Sequence, residues 1–300
     1  MSEDHVGLDK GKNLQPLLIK NLGRRIPYNP LLGSTKLLRA SVLFGSLLYR
    51  FQARTNVHFL HIRKTGGSAI KEALKNIYET PAGYTIWLHR HKTKLSHIPP
   101  GDKVVIFIRD PIDRFVSGFY SRKRQGRPKY YNPWNSMEKL AFKLFDTPNE
   151  LAKSLSSEDK KRRTFAFKAM RGIRHVNTYI KDWVISKDYL LARQEDILFI
   201  GCQEYLVNDF EILKKLLGIP PKVTKLPEDP IKSHKSPLNV DKHLSPEAVK
   251  NLLEWYREDY EIYKMLLNIR TRILRNMGEK VKSCEKLKRW KKIAQKANIQ

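Results

Sequence analysis

The sequence predicts an α/β fold of three layers, in which a central parallel sheet is flanked by helices and further helices are added outside. Two short, continuous apolar runs, at 57–62 and Lys103–Ile108, are typical of parallel strands covered on both faces. Each run is followed directly by a turn and by a helical pattern of apolar residues. The length of 300 residues, 41% of them hydrophobic, suits one α/β domain with helical additions.

The first strand is predicted over 57–62, where the apolar run ends shortly before a pair of glycines. Beyond the glycines, apolar residues recur at spacings of three and four, which predicts a helix over 68–78 with one apolar face. A second strand is predicted over Tyr84–Leu88.

The third strand, Lys103–Ile108, follows a Pro-Pro-Gly-Asp turn. Asp110 has the side chain of a helix N-cap, Pro111 suits a first helical turn, and Asp113 stands where a capping-box acid would. We therefore expect a helix from Pro111 to about residue 124.

The rest of the chain is predicted to be largely helical. Helical patterns interrupted at Pro148 and at 156–157 indicate a helical insertion over 136–180. A short strand at 197–200, a helix at 203–217, a long loop rich in Pro and Lys at 219–246 and a helix at 246–267 follow. The predicted organisation is an N-terminal extension packing on the domain (1–54), one domain (55–270) and a basic C-terminal tail (271–300).

The charge is strongly unbalanced, with 58 Lys and Arg against 30 Asp and Glu and a net charge of +28. Such a field attracts polyanions, among them nucleic acids, acidic glycans, phosphorylated cofactors and anionic membrane surfaces, and it does not choose among them. The basic clusters at 122–129 and 279–300 are equally compatible with a solvated charged surface.

Compartment signals are weak. Cys202 and Cys284 are the two cysteines and show no Cys-x-x-Cys spacing, which fits a reducing compartment. The amino terminus lacks the pattern of a secretory signal. The apolar run at 40–49 has about ten residues where roughly twenty are needed to span a bilayer, so a docked helix is expected there. We predict a cytoplasmic protein, with peripheral contact to an anionic membrane as an added option.

A candidate anion-binding loop follows the first strand and consists of Lys64, Thr65, Gly66, Gly67 and Ser68. Glycines let backbone N–H groups curl around an anion, and the next helix adds the partial positive charge of its N-terminus. The lysine precedes the glycines, unlike the common nucleotide loop G-x-x-x-x-G-K-[ST], which weakens an ATP or GTP interpretation. A plain strand-to-helix turn is the alternative.

A second candidate site follows the third strand. Arg109, at the carboxyl end of that strand, can form a forked contact with a phosphate, and Ser117 on the next helix can add a hydroxyl. Ligands of open α/β sheets bind at such strand ends. Arg109 pairing with a carboxylate is the alternative, and for Arg114 contact with phosphate or with Asp110 stays open.

Two histidines lie between the candidate sites, His89 and His91 in Leu-His-Arg-His. Either imidazole can take a proton at neutral pH, as a hydroxyl acceptor would require. A metal site is the other use of this spacing, but no carboxylate or thiol stands nearby at a helpful distance, so we expect none. His97, His175 and His234 are weaker candidates; the last lies in a long loop for which a lid over donor or acceptor and a solvated basic loop are equal alternatives.

Taken together, the two motifs resemble those of the membrane-associated carbohydrate sulfotransferase group, closest in pattern to bacterial family-2 sulfotransferase domain proteins. The resemblance extends over about 57–266 and implies a P-loop-like three-layer fold, with 55–270 as the sulfotransferase domain. It implies 3′-phosphoadenosine 5′-phosphosulfate (PAPS) as donor, with the 5′-phosphosulfate at 64–68 and the 3′-phosphate at Arg109 and Ser117. It further implies a histidine base, His91 first and His89 second, and Lys64 as the residue that stabilises the leaving group.

The sequence departs from the group at one position: Arg63 stands where the group usually has proline. The acceptor is expected to be a hydroxyl of a glycan or glycolipid, and no metal is required. Two other classes stay open, a basic nucleic-acid-binding protein, suggested by Trp290 among the lysines of the tail, and a P-loop nucleotide kinase. No specific nucleic acid is expected as a partner.

Overall fold

The computed structural model describes residues 54–229, 231, 240–281 and 286–296, together with Ala40 and Leu43. Its centre is a four-stranded sheet in the order β2-β1-β3-β4. The strands are β1 (Thr55–Leu60), β2 (Tyr84–Leu88), β3 (Lys103–Ile108) and β4 (Ile197–Cys202). All three strand pairings are parallel, so the carboxyl ends of the strands meet at one edge. The predicted α/β class with a parallel sheet is confirmed.

The helices confirm most of the predicted pattern. They are α1 (Gly67–Leu74), α2 (Pro111–Lys123), α3 (Ser136–Leu144), α4 (Pro148–Lys153), α5 (Lys160–Gly172), α6 (Lys181–Val184), α7 (Lys187–Ala192), α8 (Leu206–Leu216), α9 (Pro246–Trp255), α10 (Arg257–Asn276) and α11 (Lys286–Gln295).

One helix prediction was wrong: the single helix expected over 246–267 is two helices, α9 and α10, separated at Tyr256. Tyr256 is buried, and its hydroxyl donates to the carbonyl of Val176 at 3.0 Å. The residue between the two helices is therefore bound to the helical insertion. The second helix then continues to Asn276, beyond the predicted end.

Side chains from the two faces of the sheet form two cores. On β3, Val105 and Phe107 pack on one face with α1 and α8, and Val104, Ile106 and Ile108 pack on the other face with α2, α9 and α10. Because successive residues of a strand point to opposite faces, a continuous apolar run serves both cores at once. The sheet is therefore the middle of three layers.

The ends of the chain bear on two sequence predictions. Apart from Ala40 and Leu43, the expected helix at 40–49 lies outside the described residues, and so does the loop segment around His234. Within the described part of the chain, no helix is both long and apolar enough to cross a membrane.

Candidate active site

The two candidate motifs meet at the carboxyl edge of the sheet. Strands β1 and β3 are neighbours, with Leu60 opposite Ile106, so the loops that follow them lie side by side. Between these loops is a cavity of about 460 Å³. Its lining includes seven residues predicted from the sequence, Lys64, Gly66, Gly67, Ser68, His91, Arg109 and Ser117.

The backbone of the first loop is shaped by its glycines. Gly66 has φ +86°, a left-handed conformation that glycine adopts at no steric cost. At Gly67 a Cβ atom would stand 2.3 Å from Cδ2 of His61, so no side chain fits. Thr65 is buried and donates its hydroxyl to the carbonyl of Ile62 at 3.0 Å, which closes the loop from inside. These contacts fix the backbone of the loop, and Gly66, Gly67 and Ser68 line the cavity at the start of α1.

Lys64 places a cationic side chain beside two others. Burial, followed by the charges of Arg124 and Arg109, lowers the pKa of the Lys64 ammonium to about 7. A site that concentrates positive charge in this way is prepared for an anion, whose arrival would restore the protonated lysine.

Arg109 connects the second motif to the first. Its Nη1 donates to the carbonyl of Lys64 at 3.4 Å, and its Nε is buried with no partner among the described residues. Burial lowers the pKa of Arg109, while Asp113, Glu204 and Asp110 act in the opposite direction. Arg109 and Ser117 both line the cavity, and the Nε of Arg109 is a donor that no described residue uses.

Asp110 and Arg114 have structural roles. The Asp110 carboxylate caps α2 by accepting from the N–H groups of Ile112 and Asp113, at 3.0 and 3.1 Å. Arg114 meets neither of the partners considered from the sequence: it binds the carboxylate of Asp259 at 2.5 Å. Both groups are buried, and this pair ties α2 to α10.

His91 lies on the cavity wall with one ring nitrogen fixed. Its Nδ1 is 2.8 Å from the carbonyl of His61, and because a carbonyl only accepts, Nδ1 carries the hydrogen. The other nitrogen, Nε2, then has a free lone pair. Burial lowers the pKa of His91 to about 4; the bond to His61 opposes the shift, and the charges of Arg63, Lys71 and Lys64 add to it. His91 is thus a neutral proton acceptor.

His89 is placed differently. It is buried, it does not line the cavity, and its Nε2 lies 2.8 Å from Nδ1 of His58. The Nε2 of His58 lies in turn 3.1 Å from a carboxylate oxygen of Asp102. These three buried polar side chains connect the residue after β2, strand β1 and the residue before β3. Of the two histidines in the motif, only His91 is brought to the cavity.

The structure also places two further histidines on the cavity wall. His61, which the sequence interpretation did not select, packs against His91 with ring centroids 3.9 Å apart and ring planes tilted by 37°. His175, a weaker candidate, lies there too, whereas His97 is buried and accepts from the backbone N–H of Lys94. The only sequence signal for His61 was its position directly before the loop.

Helix α11, in the predicted basic tail, contributes part of the same cavity. Trp290 lines it, is 8% exposed and donates from Nε1 to the Asp110 carboxylate at 3.1 Å. Lys286 binds Asp113 and lies 3.6 Å from a carboxylate oxygen of Glu204. The sequence interpretation assigned these residues to a charged surface or to a nucleic-acid contact. The single tryptophan among basic residues was the one feature of the sequence that could have indicated a helix packed on the domain.

A parallel sheet with a cavity at its carboxyl edge is the arrangement in which open α/β proteins bind their ligands, and here cationic side chains line that cavity. A model of the sulfotransferase family matches residues 48–265, well over half of the chain, and the chain therefore belongs to that family. Such enzymes move a sulfonate group to a hydroxyl-bearing acceptor. No curated protein matches the sequence. Among the described residues, no group of three His, Cys, Asp or Glu side chains is arranged to hold a metal.

Proposed function

We propose that this sulfotransferase takes its sulfonate from PAPS and transfers it to a carbohydrate hydroxyl, in a glycan or glycolipid. The observation that supports the donor is the contact between the two motifs across one cavity, with Arg109 bound to the carbonyl of Lys64. The 64–68 loop would hold the 5′-phosphosulfate, and Arg109 with Ser117 would hold the 3′-phosphate. Two separate anion-binding groups on one cavity suit a donor that carries phosphates at two positions.

Transfer requires a base and a stabilised leaving group. In the proposed reaction the bond between sulfur and the bridging phosphate oxygen breaks while the acceptor oxygen bonds to sulfur. Nε2 of His91 takes the acceptor proton, and Lys64 neutralises the charge that develops on the departing phosphate. The products are the sulfate ester and adenosine 3′,5′-bisphosphate. His89 stays the second candidate for the base.

Two exposed aromatic residues support a carbohydrate acceptor. Tyr130 lines the cavity and is 39% exposed, and Tyr131 beside it is 60% exposed with the guanidinium of Arg127 over its ring. A partly exposed aromatic ring on the cavity wall, such as that of Tyr130, can stack against a sugar ring. A cytoplasmic location with peripheral membrane contact remains a prediction.

The direct experiment offers PAPS with a labelled sulfonate to polysaccharide, glycolipid and small-molecule fractions. We expect label in a sugar-containing fraction. Calorimetric titration with adenosine 3′,5′-bisphosphate and with ATP should show tighter binding of the bisphosphate. Tighter binding of ATP would instead favour the kinase interpretation.

Replacing Arg109 with alanine is expected to weaken adenosine 3′,5′-bisphosphate by about 10- to 100-fold, because hydrogen bonds to charged groups contribute about 1.5–3 kcal/mol. The affinity for ADP, which lacks the 3′-phosphate, should change much less. Calorimetry on both ligands measures the difference, and Arg257→Ala, at an exposed surface pair, is the matched control. Equal losses for the two ligands would remove the 3′-phosphate role from Arg109.

Replacing Trp290 with alanine is expected to weaken adenosine 3′,5′-bisphosphate by roughly 10-fold, since the change opens one wall of the cavity and removes a hydrogen bond on Asp110, the neighbour of Arg109. Trp290→Phe should retain much of the affinity. The exposed Lys291→Ala on the same helix serves as the control. An unchanged dissociation constant for Trp290→Ala would mean that α11 does not take part in donor binding.

A further inference from the structure

Helices α3 and α5 lie side by side on the surface of the helical insertion. Met137, in the first turn of α3, packs on Gly172 at the end of α5, where a Cβ atom would collide with its side chain. At the other end of the pair, the guanidinium of Arg162 lies 5.5 Å from the centroid of the Phe145 ring. The start of each helix is thus next to the end of the other, and the two run antiparallel.

Exposed apolar side chains lie along the line where the two helices meet. Leu140 and Leu144 are 46% and 45% exposed, and they share with Met137 the face of α3 that meets α5, at helical spacings of three and seven residues. Phe165 is 38% exposed and shares a face of α5 with Gly172, seven residues further on. We refer to Leu140, Leu144 and Phe165 as the apolar strip.

Lysines flank the apolar strip, and the two helices expose no acid beside them. Helix α5 has six basic residues and no acidic one, and the single acid of α3, Glu138, is buried against Arg122 and Arg174. The flanking lysines are exposed and form no ion pair with a described carboxylate: Lys139, Lys143, Lys161 and Lys168. We refer to these four lysines and the apolar strip as the α3–α5 face.

The charge of the α3–α5 face is available to an outside partner. Several other exposed lysines are paired within the protein, as Lys181 is with Glu258 at 2.6 Å and Lys215 with Glu279 at 2.9 Å. A nucleic acid would be held mainly through its phosphates, which would use the lysines and leave the apolar strip in water. A bilayer with anionic lipids matches both parts of the face, because it offers phosphates above an apolar interior.

We propose that the α3–α5 face docks this protein on a bilayer that contains anionic lipids. The four lysines pair with lipid phosphates, and the apolar strip enters the boundary between headgroups and acyl chains. The net charge of the sequence only allowed a membrane contact, and the arrangement of these two helices gives that contact a location. The inference does not use the donor cavity and is independent of the proposed function.

The test is sedimentation of the full-length protein with vesicles of phosphatidylcholine, either alone or with about 30% phosphatidylglycerol. We expect binding to the anionic vesicles to be at least about 10-fold stronger and to weaken as the salt concentration rises. Lys139→Gln combined with Lys143→Gln should lower the partition coefficient by about 10- to 30-fold, because each lysine near an anionic surface contributes about a factor of five. Leu140→Gln combined with Leu144→Gln should lower it by at least about 10-fold.

Two control variants carry the same changes on other surfaces. Lys222→Gln combined with Lys264→Gln removes the same charge from exposed sites, and Leu191→Gln replaces a leucine that is 46% exposed on α7. Both should bind the anionic vesicles within about twofold of the unmodified protein. All variants should keep the melting temperature and the affinity for adenosine 3′,5′-bisphosphate, because none of the changed residues is buried or lines the cavity.

Three results would overturn the proposal. The first is that the unmodified protein binds the anionic vesicles no better than the neutral ones. The second is an equal loss in the α3 lysine pair and in the control lysine pair, which would mean that net charge alone attracts the vesicles. The third is that the α3 lysine pair loses binding to duplex DNA but not to vesicles, which would assign the face to nucleic acid. Bisphosphate binding is measured separately and bears only on the proposed function.

Discussion

Lys64→Ala is expected to reduce sulfonate transfer from PAPS by about 10³-fold or more, since the ammonium group is assigned to the leaving phosphate and no other lysine reaches that position from the 64–68 loop. The protein should stay folded. The pKa of Lys64 is lowered in the folded state, so its charged form opposes folding beside Arg109 and Arg124, and the melting temperature should not fall. Label transfer and thermal unfolding measure the two effects.

The control is Lys75→Ala, at the end of α1, where the lysine is exposed and paired with Glu72 at 2.6 Å. That variant should transfer sulfonate at the unmodified rate. Lys64→Ala with full activity would contradict the assignment of the 64–68 loop to the phosphosulfate.

The pH dependence of donor capture has a definite direction. The Lys64 ammonium has a pKa of about 7 in the free protein, so kcat/KM for PAPS should fall as the pH rises through about 7. The negative charge of the bound donor raises that pKa again, so kcat should hold to a higher pH. Initial rates between pH 5 and 10 test both statements.

His91→Ala is expected to lower kcat by about 10²- to 10⁴-fold, the usual contribution of a positioned base, with little effect on the affinity for adenosine 3′,5′-bisphosphate. The exposed His243→Ala is the matched control. The pKa of His91 is about 4 in the free protein, so kcat/KM should fall only as the pH drops through about 4. Donor binding makes proton uptake easier, so the acid limb of kcat should lie at higher pH.

A different pair of results would identify His89 as the base. If His91→Ala keeps its kcat, and His89→Asn loses kcat at an unchanged melting temperature, the base is His89. We expect the reverse, with loss of stability in His89→Asn, because the change disturbs the buried contact with His58.

The strands and the 64–68 loop could be predicted because each depends on residues that are close together in the sequence. The limits of β2 and β3 coincide with the predicted ranges, since a strand buried on both faces is continuously apolar and ends at turn residues. The glycines of the 64–68 loop also act within a few residues, through a left-handed φ at Gly66 and the approach of His61 to Gly67.

Long-range partners could not be predicted in this way. Arg114 was ambiguous because its actual partner, Asp259, is 145 residues away. The break at Tyr256 and the docking of Trp290 on Asp110 likewise depend on contacts between distant segments. No periodicity or spacing in the sequence encodes such pairings.

The sequence by itself determined the α/β class, the order in which the two motifs follow their strands and the residues proposed to bind the donor, because apolar periodicity and loop chemistry are local properties. Only the tertiary structure placed His91 rather than His89 on the cavity wall and brought α11 into the cavity. Those outcomes depend on which side chains meet when distant elements pack, and burial and hydrogen bonding act on that final arrangement.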